Sequence, residues 1–359
     1  MKHIICFHLF NDYSGSPKVL KMVLEGMLQK GYQIDLVSSK GGVLDELLHY
    51  QNLRKHSYPY RFSTNGAVTM LRYCMVQLYT FFLSFRWLFR KNTVFYINTL
   101  LPAGPALAGR LMGKRVVYHY HENAFVKGGF YKLLAGVMQK LAHKIICVSA
   151  YQASFLHRKV EVTVIPNALP LEFTGRLIPN KEAAFERKRI LMLGSLKLYK
   201  SPLEFICLAQ QLPQFAFELI VNDTQENIDL FITEHKVNIS KNLTIYPRQS
   251  DVAPFYNRAS LVLNLSNKKL IIETFGLTAL EAMSAGLPVI VPTEGGIAEM
   301  VEDGVNGYKI DVQNLNSIAE CIDQMLSNQE LYTKLSDNAL RYAEKYNADA
   351  MIDGILSHF

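Results

Sequence analysis

Residues 273–292 read ETFGLTALEAMSAGLPVIVP, with two acids, Glu273 and Glu281, on either side of a Phe-Gly-Leu turn. Gly276 predicts the start of a helix, because glycine is unfavourable in a helix interior. Glu273 is therefore placed in the preceding loop and Glu281 in the first helical turns. A helix N-terminus attracts phosphate, whereas carboxylates accept hydrogen bonds from hydroxyls. The stretch thus predicts a nucleotide-sugar site; the alternative interpretation is an amphipathic helix with two solvated acids.

The rest of the chain alternates apolar strands with helices. Residues 3–7 and 34–38 are predicted strands on either side of a helix that ends at Gly31, which is the unit of a parallel doubly wound sheet. A second series starts at residues 190–193, after a charge-rich segment at 176–189 that has the composition of a linker. A length of 359 residues favours two domains. We therefore predict an α/β protein with two doubly wound parallel sheets.

The stretch at 273–292 also resembles the E-x7-E signature of retaining GT-B glycosyltransferases, glycosyltransferase family 4. Thr274 departs from the family pattern, which usually has glycine there. The residues that match are Glu273, Phe275, Gly276, Leu277, Glu281, Ala282, Met283, Gly286, Pro288 and Val289. So many matches in register make this signature far more specific than two acids alone.

The resemblance implies the GT-B architecture, two Rossmann-like domains that face each other across a cleft. Residues 1–176 would form the acceptor-side domain, residues 177–345 the donor domain, and residues 346–359 would cross back to the first. The implied enzyme is a retaining hexosyltransferase that moves a sugar from a nucleotide-diphosphate sugar to a hydroxyl of a glycan or lipid-linked acceptor. Neither a metal ion nor another cofactor is implied, and the sequence contains no D-x-D pair.

A second donor motif is expected in residues 194–202, GSLKLYKSP. They resemble the family segment G-R-L, three variable residues, K-G, with matches at Gly194, Leu196 and Lys200. Ser201, followed by proline, predicts a helix start directly after Lys200. A cation beside helix N–H groups is suited to hold a diphosphate.

Ser195 and Ser201 stand where the family has arginine and glycine. Lys197 would substitute for the arginine from a shifted position, or Lys200 would act alone. Arg248 follows a predicted strand at 243–245, where it would stack on the base or face solvent. The predicted donor-binding residues are Gly15, Gly194, Ser195, Lys197, Lys200, Arg248, Glu273, Phe275, Gly276, Leu277 and Glu281. The resemblance assigns the ribose to Glu281 and the sugar and diphosphate to Glu273 and Lys200.

Two positions in the first domain complete the predicted site. His121 follows a predicted strand at 115–119, and the family's histidine at this place approaches the donor sugar, so His121 joins Lys200 and Glu273 as a predicted catalytic residue. His119 is the competing candidate, and a strand-end histidine bonded to a carbonyl is the alternative. Gly15 precedes a helix start predicted at Ser16; it either gives backbone room to donor or acceptor or is an ordinary loop glycine.

Residues 68–89 are apolar and aromatic, with an uncharged centre at 73–85 that is too short to span a bilayer. We expect most of this helix to be buried in the first domain, because core helices are commoner than interfacial ones. The alternative is a helix in a membrane interface, with Arg72, Arg86, Arg90 and Lys91 directed to lipid phosphates.

Composition limits the other functions. The net charge of +7 shows no Lys/Arg block, which argues against nucleic-acid binding and is compatible with an anionic small molecule or membrane surface. The five cysteines include no C-x-x-C, so neither a metal site nor a disulfide framework is indicated, and Cys6, Cys147 and Cys207 are expected to be buried thiols. No signal peptide is recognised, and a cytoplasmic protein, with possible peripheral membrane contact, is expected.

The sequence therefore favours a retaining, metal-independent glycosyltransferase, with an acceptor in surface polysaccharide or glycolipid assembly. Two alternatives remain. The first is a nucleotide-sugar epimerase or hydrolase of the same two-domain form. The second is a non-catalytic nucleotide-sugar-binding protein, which the loss of arginine at Ser195 motivates.

Overall fold

The computed structural model describes residues 3–125, 128–157 and 159–359, which form two compact units. The first unit comprises Met1–Asn167 together with Ala348–Phe359, and the second comprises Ala168–Asn347. Each unit contains one parallel sheet with helices. The predicted architecture of two Rossmann-like doubly wound sheets is thus confirmed.

The first sheet has seven strands, of which the central ones are fully buried, as expected when helices cover both faces. Its order is β3-β2-β1-β4-β5-β6-β7, so the chain changes its direction of travel across the sheet between β1 and β4. The strands are β1 (His3–Phe7), β2 (Gln33–Ser39), β3 (Leu53–Tyr58), β4 (Thr93–Asn98), β5 (Arg115–Tyr120), β6 (Lys144–Cys147) and β7 (Val162–Val164).

Helices connect these strands, together with 3-10 turns at Val43–His49 and Phe85–Trp87. The first helix begins at Gly15 rather than at Pro17, because Asp12 accepts hydrogen bonds from the backbone N–H of Ser14 (3.0 Å) and from its hydroxyl (2.6 Å) and closes the turn earlier. The helices are α1 (Gly15–Gln29), α2 (Gly66–Ser84), α3 (Ala103–Leu111), α4 (Gly129–Leu141) and α5 (Ala150–Ala153).

Most of α2 is exposed, so the expectation that it is mainly a core helix is wrong. Its buried residues, Tyr73, Val76, Thr80 and Ser84, lie along one narrow face. This face packs on α3, and the hydroxyl of Tyr73 donates to the carbonyl of Leu101, just before α3, at 2.8 Å. Phe81 and Leu83 are partly buried, and most of the other apolar side chains of α2 are exposed.

The second sheet has six strands in the order β10-β9-β8-β11-β12-β13, with the change of direction between β8 and β11. The strands are β8 (Arg189–Gly194), β9 (Ala216–Val221), β10 (Leu243–Tyr246), β11 (Leu261–Leu263), β12 (Val289–Val291) and β13 (Gly307–Lys309). The helices are α6 (Leu171–Thr174), α7 (Lys181–Arg187), α8 (Pro202–Gln211), α9 (Gln225–Glu234), α10 (Ala253–Arg258), α11 (Leu277–Ser284), α12 (Leu315–Ser327) and α13 (Gln329–Ala343), with 3-10 turns at Leu198–Lys200 and Gly296–Met300.

The chain passes between the units after Asn167 and after Asn347, whereas the sequence placed these passages after Arg176 and Lys345. The difference has local causes. Arg176 pairs with Asp251 at 3.1 Å, and the ring of Tyr346 contacts that of Phe275 with centroids 5.7 Å apart, so both segments are held in the second unit.

The last helix, α14 (Ala348–Leu356), packs in the first unit. A Cβ added to Gly26 of α1 would lie 2.4 Å from Cδ1 of Ile352, so α1 and α14 approach closely. Arg115 donates through Nε to the carbonyl of His358 at 2.8 Å. The C-terminal segment is therefore an integral part of the first unit's core.

The cysteines follow the sequence expectation with one exception. Cys6 and Cys147 are buried in the first sheet, and burial raises the pKa of the Cys147 thiol to about 12. Cys207 is exposed on α8, which corrects the prediction that it is buried.

Candidate active site

Three side chains meet at the carboxyl edge of the second sheet, between β8 and β11, where the chain changes its direction of travel across the sheet. Lys200 follows β8, Ser266 follows β11, and Glu273 lies in the loop before α11. The ammonium of Lys200 forms an ion pair with Glu273 and donates to the hydroxyl of Ser266 at 3.3 Å, and Ser266 donates to Glu273 at 2.7 Å. Such a switch point is where doubly wound sheets bind ligands. The structure thus brings together Lys200 and Glu273 as predicted.

The ion pair is partly accessible, since the side chains of Lys200 and Glu273 are 25% and 17% exposed. Burial by itself would raise the pKa of Glu273, but the Lys200 charge and hydrogen bonds from Ser266 and Asn264 lower that pKa below its ordinary value. Glu273 is therefore an anion at neutral pH and accepts hydrogen bonds. Lys200 has three N–H donors, so it can hold an anionic ligand while it remains paired with Glu273.

Two glycines shape the loop that carries Glu273. The N–H of Gly296 donates to the carbonyl of Glu273 at 2.8 Å, and a Cβ on Gly295, whose φ is +108°, would lie 2.5 Å from that carbonyl oxygen. Gly276 precedes α11 with a φ of +92°, and a Cβ there would lie 2.4 Å from Ile297. Only glycine fits both positions, so these contacts fix the approach of Glu273 to the sheet edge.

Glu281 lies within α11, as predicted, and accepts a hydrogen bond of 2.5 Å from the hydroxyl of Tyr256. Tyr256 is fully buried, and burial raises the pKa of its phenol well above the ordinary value, so the phenol acts as a donor. The contact fixes one carboxylate oxygen of Glu281.

Ser201 adopts a left-handed backbone conformation (φ 55°, ψ 48°) at the start of α8. Its side chain is completely buried, and its hydroxyl has no hydrogen-bond partner among the described residues. The related pattern has glycine at this place, and the conformation explains why, since left-handed backbone is costly for a residue with a Cβ. Ser201 thus strains the segment that presents Lys200.

The other predicted donor residues differ in what the structure shows. Lys197 is exposed, and its ammonium lies 5.8 Å from the centroid of the Tyr199 ring. Arg248 is exposed at the carboxyl side of β10, where its Nε donates to the side-chain oxygen of Asn222 at 2.7 Å. The structure therefore places the ammonium of Lys197 beside Tyr199 and the guanidinium of Arg248 beside Asn222.

Four more predicted residues lie close in sequence to one member of the Lys200–Glu273 pair: Gly194 and Ser195 precede Lys200, and Phe275 and Leu277 follow Glu273. Gly194 ends β8, and a Cβ there would meet only ordinary van der Waals contact, 3.8 Å from Lys200. Ser195 follows it, and Leu277 begins α11. Phe275 is 4% exposed and packs on Tyr346, so its ring anchors the loop and is not offered to a ligand.

A second polar cluster lies in the first unit, at the switch point between β1 and β4. Asn98 is the last residue of β4. Its amide nitrogen lies 3.0 Å from Nδ1 of His8, and its amide oxygen lies 3.0 Å from Nε2 of His121. Nε2 of His8 lies 2.9 Å from the carbonyl of Phe10. His121 thus lies at the carboxyl edge of its sheet, as the sequence predicts.

Hydrogen-bond complementarity assigns the protons in this cluster. The Phe10 carbonyl only accepts, so Nε2 of His8 donates and Nδ1 accepts from the Asn98 amide nitrogen. The Asn98 oxygen then accepts from Nε2 of His121. Burial lowers the pKa of His8 to about 4 and that of His121 well below its ordinary value. His121 is therefore a neutral imidazole that carries its proton on Nε2 and none on Nδ1.

The environment of His119, the competing candidate, differs from that of His121. His119 is fully buried, its Nδ1 lies 2.7 Å from the hydroxyl of Tyr96, and burial lowers its pKa to about 3. His119 is therefore a residue of the sheet interior.

Thr99, directly after Asn98, has a left-handed backbone (φ 70°). This conformation is strained for a β-branched residue, and strained residues of this kind cluster at functional sites.

Sequence reasoning did not find Ser266, Asn264, Asn98 and His8. All four follow or end a buried strand, so a search for polar residues at strand carboxyl ends would have indicated them. Gly15 starts α1 after β1 and is exposed. The part of the chain that the structure describes contains no cluster of three His, Cys, Asp or Glu side chains arranged to hold a metal ion.

The sequence matches two family models. One, described as Glycosyltransferase Family 4, covers residues 13–173, and the other, described as Glycosyl transferases group 1, covers residues 176–342. The chain belongs to the GT-B glycosyltransferases of family 4. The predicted family is thereby confirmed, and glycosyl transfer is its activity.

Similar proteins agree with this family. An "Uncharacterized glycosyltransferase" of Haemophilus influenzae is 22% identical over 94% of both chains. The structure of Anabaena Alr3699/HepE in complex with UDP-glucose superimposes with a TM-score of 0.78 at 16% identity, covering all of both chains. WaaG, a glycosyltransferase involved in lipopolysaccharide biosynthesis, superimposes with a TM-score of 0.70 at 16% identity over 98% of both chains. At 16% identity, the similarities to Alr3699/HepE and to WaaG show a shared fold.

Proposed function

We propose that this glycosyltransferase uses a nucleotide-diphosphate sugar as its donor and binds it in the second unit. The observation that carries the proposal is the accessible Lys200–Glu273 pair at the β8/β11 switch point. Lys200 supplies positive charge for the diphosphate, and Glu273 accepts hydrogen bonds from sugar hydroxyls. Glu281 binds the ribose hydroxyls. The UDP-glucose complex of the structurally similar Alr3699/HepE supports a donor of this class.

The chemistry that we propose for Lys200 is stabilisation of the leaving group. When the bond between the sugar and the diphosphate breaks, negative charge develops on the diphosphate, and a fixed ammonium at the sheet edge stabilises it. The acceptor hydroxyl attacks from the same face and loses its proton to the departing phosphate, which gives retention of configuration. His121, as a neutral imidazole, accepts a hydrogen bond from the donor sugar. No metal ion or cofactor is assigned to the reaction.

The acceptor that we propose is a hydroxyl of a glycan or a lipid-linked glycan, in surface polysaccharide assembly on the cytoplasmic side of a membrane. The fold similarity to WaaG supports this class, because that protein acts in lipopolysaccharide biosynthesis. The acceptor does not enter the donor test described next.

The test is thermal stabilisation and slow hydrolysis across a panel of UDP-, GDP-, ADP- and dTDP-sugars, with and without EDTA. We expect one donor to stabilise the protein and to be cleaved equally in both conditions, with the released sugar trapped in its original anomeric configuration. Loss of cleavage with EDTA contradicts metal independence, and an inverted product contradicts retention. Lack of stabilisation by every donor contradicts the donor site at Lys200 and Glu273.

Glu281→Ala tests the ribose assignment. We expect a donor dissociation constant at least severalfold higher, measured by calorimetry, because the ribose hydroxyls lose their acceptor. Tyr256→Phe is the matched control: it removes the 2.5 Å hydrogen bond to Glu281 and leaves the carboxylate in place. Equal affinity of Glu281→Ala and the unmodified protein refutes the assignment.

A second candidate is a protein that binds nucleotide sugars without turnover, which Ser195 favours because the family arginine is missing there. Such a protein would bind one donor of the same panel tightly, and it would transfer no sugar when glycan or glycolipid acceptors are added. Ser195→Arg should then confer cleavage. If the unmodified protein already transfers the sugar, this candidate is excluded, and so is an epimerase or hydrolase that needs no acceptor.

A further inference from the structure

The exposed side of α2 carries a continuous apolar stripe, which continues through the 3-10 turn after it. Its members are Leu71, Met75, Leu78, Phe82, Phe85 and Phe89, spaced alternately four and three residues apart. Their exposed fractions run from 37% to 92%. Spacing of this kind places Leu71, Met75, Leu78 and Phe82 on one face of α2, and the exposed rings of Phe85 and Phe89 follow directly after the helix ends. A surface of large apolar side chains on a folded protein marks an interaction site.

The stripe lies along the surface of the first unit and is fixed there. Among the described helices, Gly66–Trp87 is the one that is long and apolar enough to cross a bilayer, but its other face is committed to the protein. Gly104 of α3 donates to the side chain of Gln77 at 2.9 Å, and a Cβ on Gly104 would lie 2.2 Å from the Gln77 carbonyl. Trp87, 3% exposed, donates to buried Asp35 at 3.0 Å. The helix is therefore anchored parallel to the surface.

Positive charge accompanies the stripe. Between Glu46 and Glu161 the only acidic residue is Glu122, and the lysines and arginines in this span outnumber it by more than the chain's net charge of +7. Arg72, Arg86 and Lys91 are exposed beside the stripe. Arg90 is also exposed, with its guanidinium 4.0 Å from Asp35. The sequence from residue 47 to residue 160 is therefore strongly cationic, and four of its exposed cations lie in α2 or directly after it.

We propose that the α2 stripe docks on the surface of an anionic lipid bilayer, with its aromatic and aliphatic side chains in the headgroup region and its cations on lipid phosphates. An apolar face rimmed by lysine and arginine is the pattern of helices that lie in a membrane interface. A second copy of the chain fits less well, because it would bring two cationic rims together. Nucleic acid lacks the apolar counterpart that the stripe requires.

The first test is co-sedimentation with vesicles of phosphatidylcholine and phosphatidylglycerol, and with vesicles of phosphatidylcholine alone. We expect binding to the anionic vesicles, weaker at high salt. Arg86→Glu/Arg90→Glu/Lys91→Glu should reduce the partition by about a hundredfold, since each cation near an anionic surface contributes about 1 kcal/mol. The charge-matched control, Lys236→Glu/Lys241→Glu/Lys334→Glu, changes three exposed lysines of the second unit. It should bind the anionic vesicles at least severalfold better than Arg86→Glu/Arg90→Glu/Lys91→Glu.

The second test separates apolar insertion from charge attraction. Leu78→Ser/Phe82→Ser keeps every cation but removes two stripe residues that are 61% and 68% exposed. We expect it to lose vesicle binding, whereas Leu171→Ser/Leu230→Ser, which changes residues of similar exposure in the second unit, should not. Cys74, exposed within the stripe region, offers a site for an environment-sensitive dye in a Cys207→Ser background, and its emission should shift to the blue on anionic vesicles.

Equal vesicle binding by the stripe variant and the unmodified protein overturns the proposal. So does a stripe variant that turns a dimer into a monomer, because the stripe is then an interface between copies, and so does binding to RNA but not to vesicles. The midpoint of thermal unfolding and the fluorescence of Trp87, which is buried at the end of α2, serve as the folding control for each variant. Because vesicle binding is measured without donor, its failure would leave the donor site untouched, and failure of the donor test would leave this proposal untouched.

Discussion

Ser201 shows how a single residue can carry strain beside a functional lysine. Ser201→Gly should raise the free energy of unfolding of the second unit by about 1 kcal/mol, because glycine adopts the left-handed backbone without the Cβ penalty. The midpoint of thermal unfolding should rise by about 2–4 °C. Ser201→Ala is the matched control, since it removes the unpaired hydroxyl but keeps the Cβ. If alanine stabilises as much as glycine, the buried hydroxyl and not the backbone is the source of the strain.

Asn98 determines which nitrogen of His121 carries the proton. Asn98→Asp should raise the pKa of His8 and of His121, because a carboxylate between two imidazoles favours their charged forms. Histidine titrations by NMR should show both midpoints displaced upwards, and transfer activity should fall as the pH drops through them, since a protonated His121 no longer accepts a hydrogen bond. Tyr96→Phe, which removes only the partner of His119, should leave the His121 midpoint where it is. An unchanged midpoint for His121 in Asn98→Asp contradicts the contact between Asn98 and His121.

At the scale of elements, Asp35 of β2 anchors the end of α2. Its carboxylate lies 2.9 Å from His3 and 2.7 Å from His56 and accepts a hydrogen bond from Trp87. Burial alone would raise its pKa, but the hydrogen bonds and the two histidines hold the pKa of Asp35 well below its ordinary value. A carboxyl with a lowered folded-state pKa contributes stability above its unfolded pKa, near 4, and that stability is lost as the pH falls through the folded value.

Asp35→Asn should therefore lower the free energy of unfolding at pH 7 by about 2 kcal/mol, with the deficit shrinking below about pH 4. Trp87 is the only tryptophan, so its fluorescence reports this contact directly during unfolding. Asp349→Asn, at an exposed position of α14, is the control and should show no such pH dependence. A deficit that stays constant from pH 7 to pH 3 contradicts the lowered pKa.

The sequence predicts elements best where both faces are buried. β1 and β8 contain continuous apolar runs, and the strands predicted at 3–7 and 190–193 agree with them to within one residue at each end. β3 at the sheet edge, with the sequence LRKHSY, lacks such a run and was missed. For α2, the apolar spacing predicted the helix but could not tell whether its stripe faces protein or solvent. Lys200 and Glu273 were found through motif spacing, whereas Asn98 and His8 lie far apart in sequence and meet only because β1 pairs with β4.

At the scale of the whole molecule, α14 completes the first unit. Ile352 is 4% exposed against α1, and Ile352→Ala should destabilise that unit by about 2–4 kcal/mol, through lost burial and the cavity left behind. Hydrogen exchange should show reduced protection of Gly15–Gln29 and unchanged protection of the second sheet. Asp353→Ala, at an exposed neighbouring position, should have little effect. Equal loss of protection in both sheets contradicts this division.

The split first unit has a consequence for synthesis on the ribosome. β1 to β7 emerge early, but their cover α14 is made only after the entire second unit, about 190 residues later, which takes roughly 10–40 s at typical elongation rates. During that interval the groove on α1 beside Gly26 lacks Ile352 and leaves apolar surface open to chaperones and proteases. The second unit, by contrast, is continuous in sequence and can fold as soon as it has emerged. Translation therefore completes the two units in the reverse of the order in which it begins them.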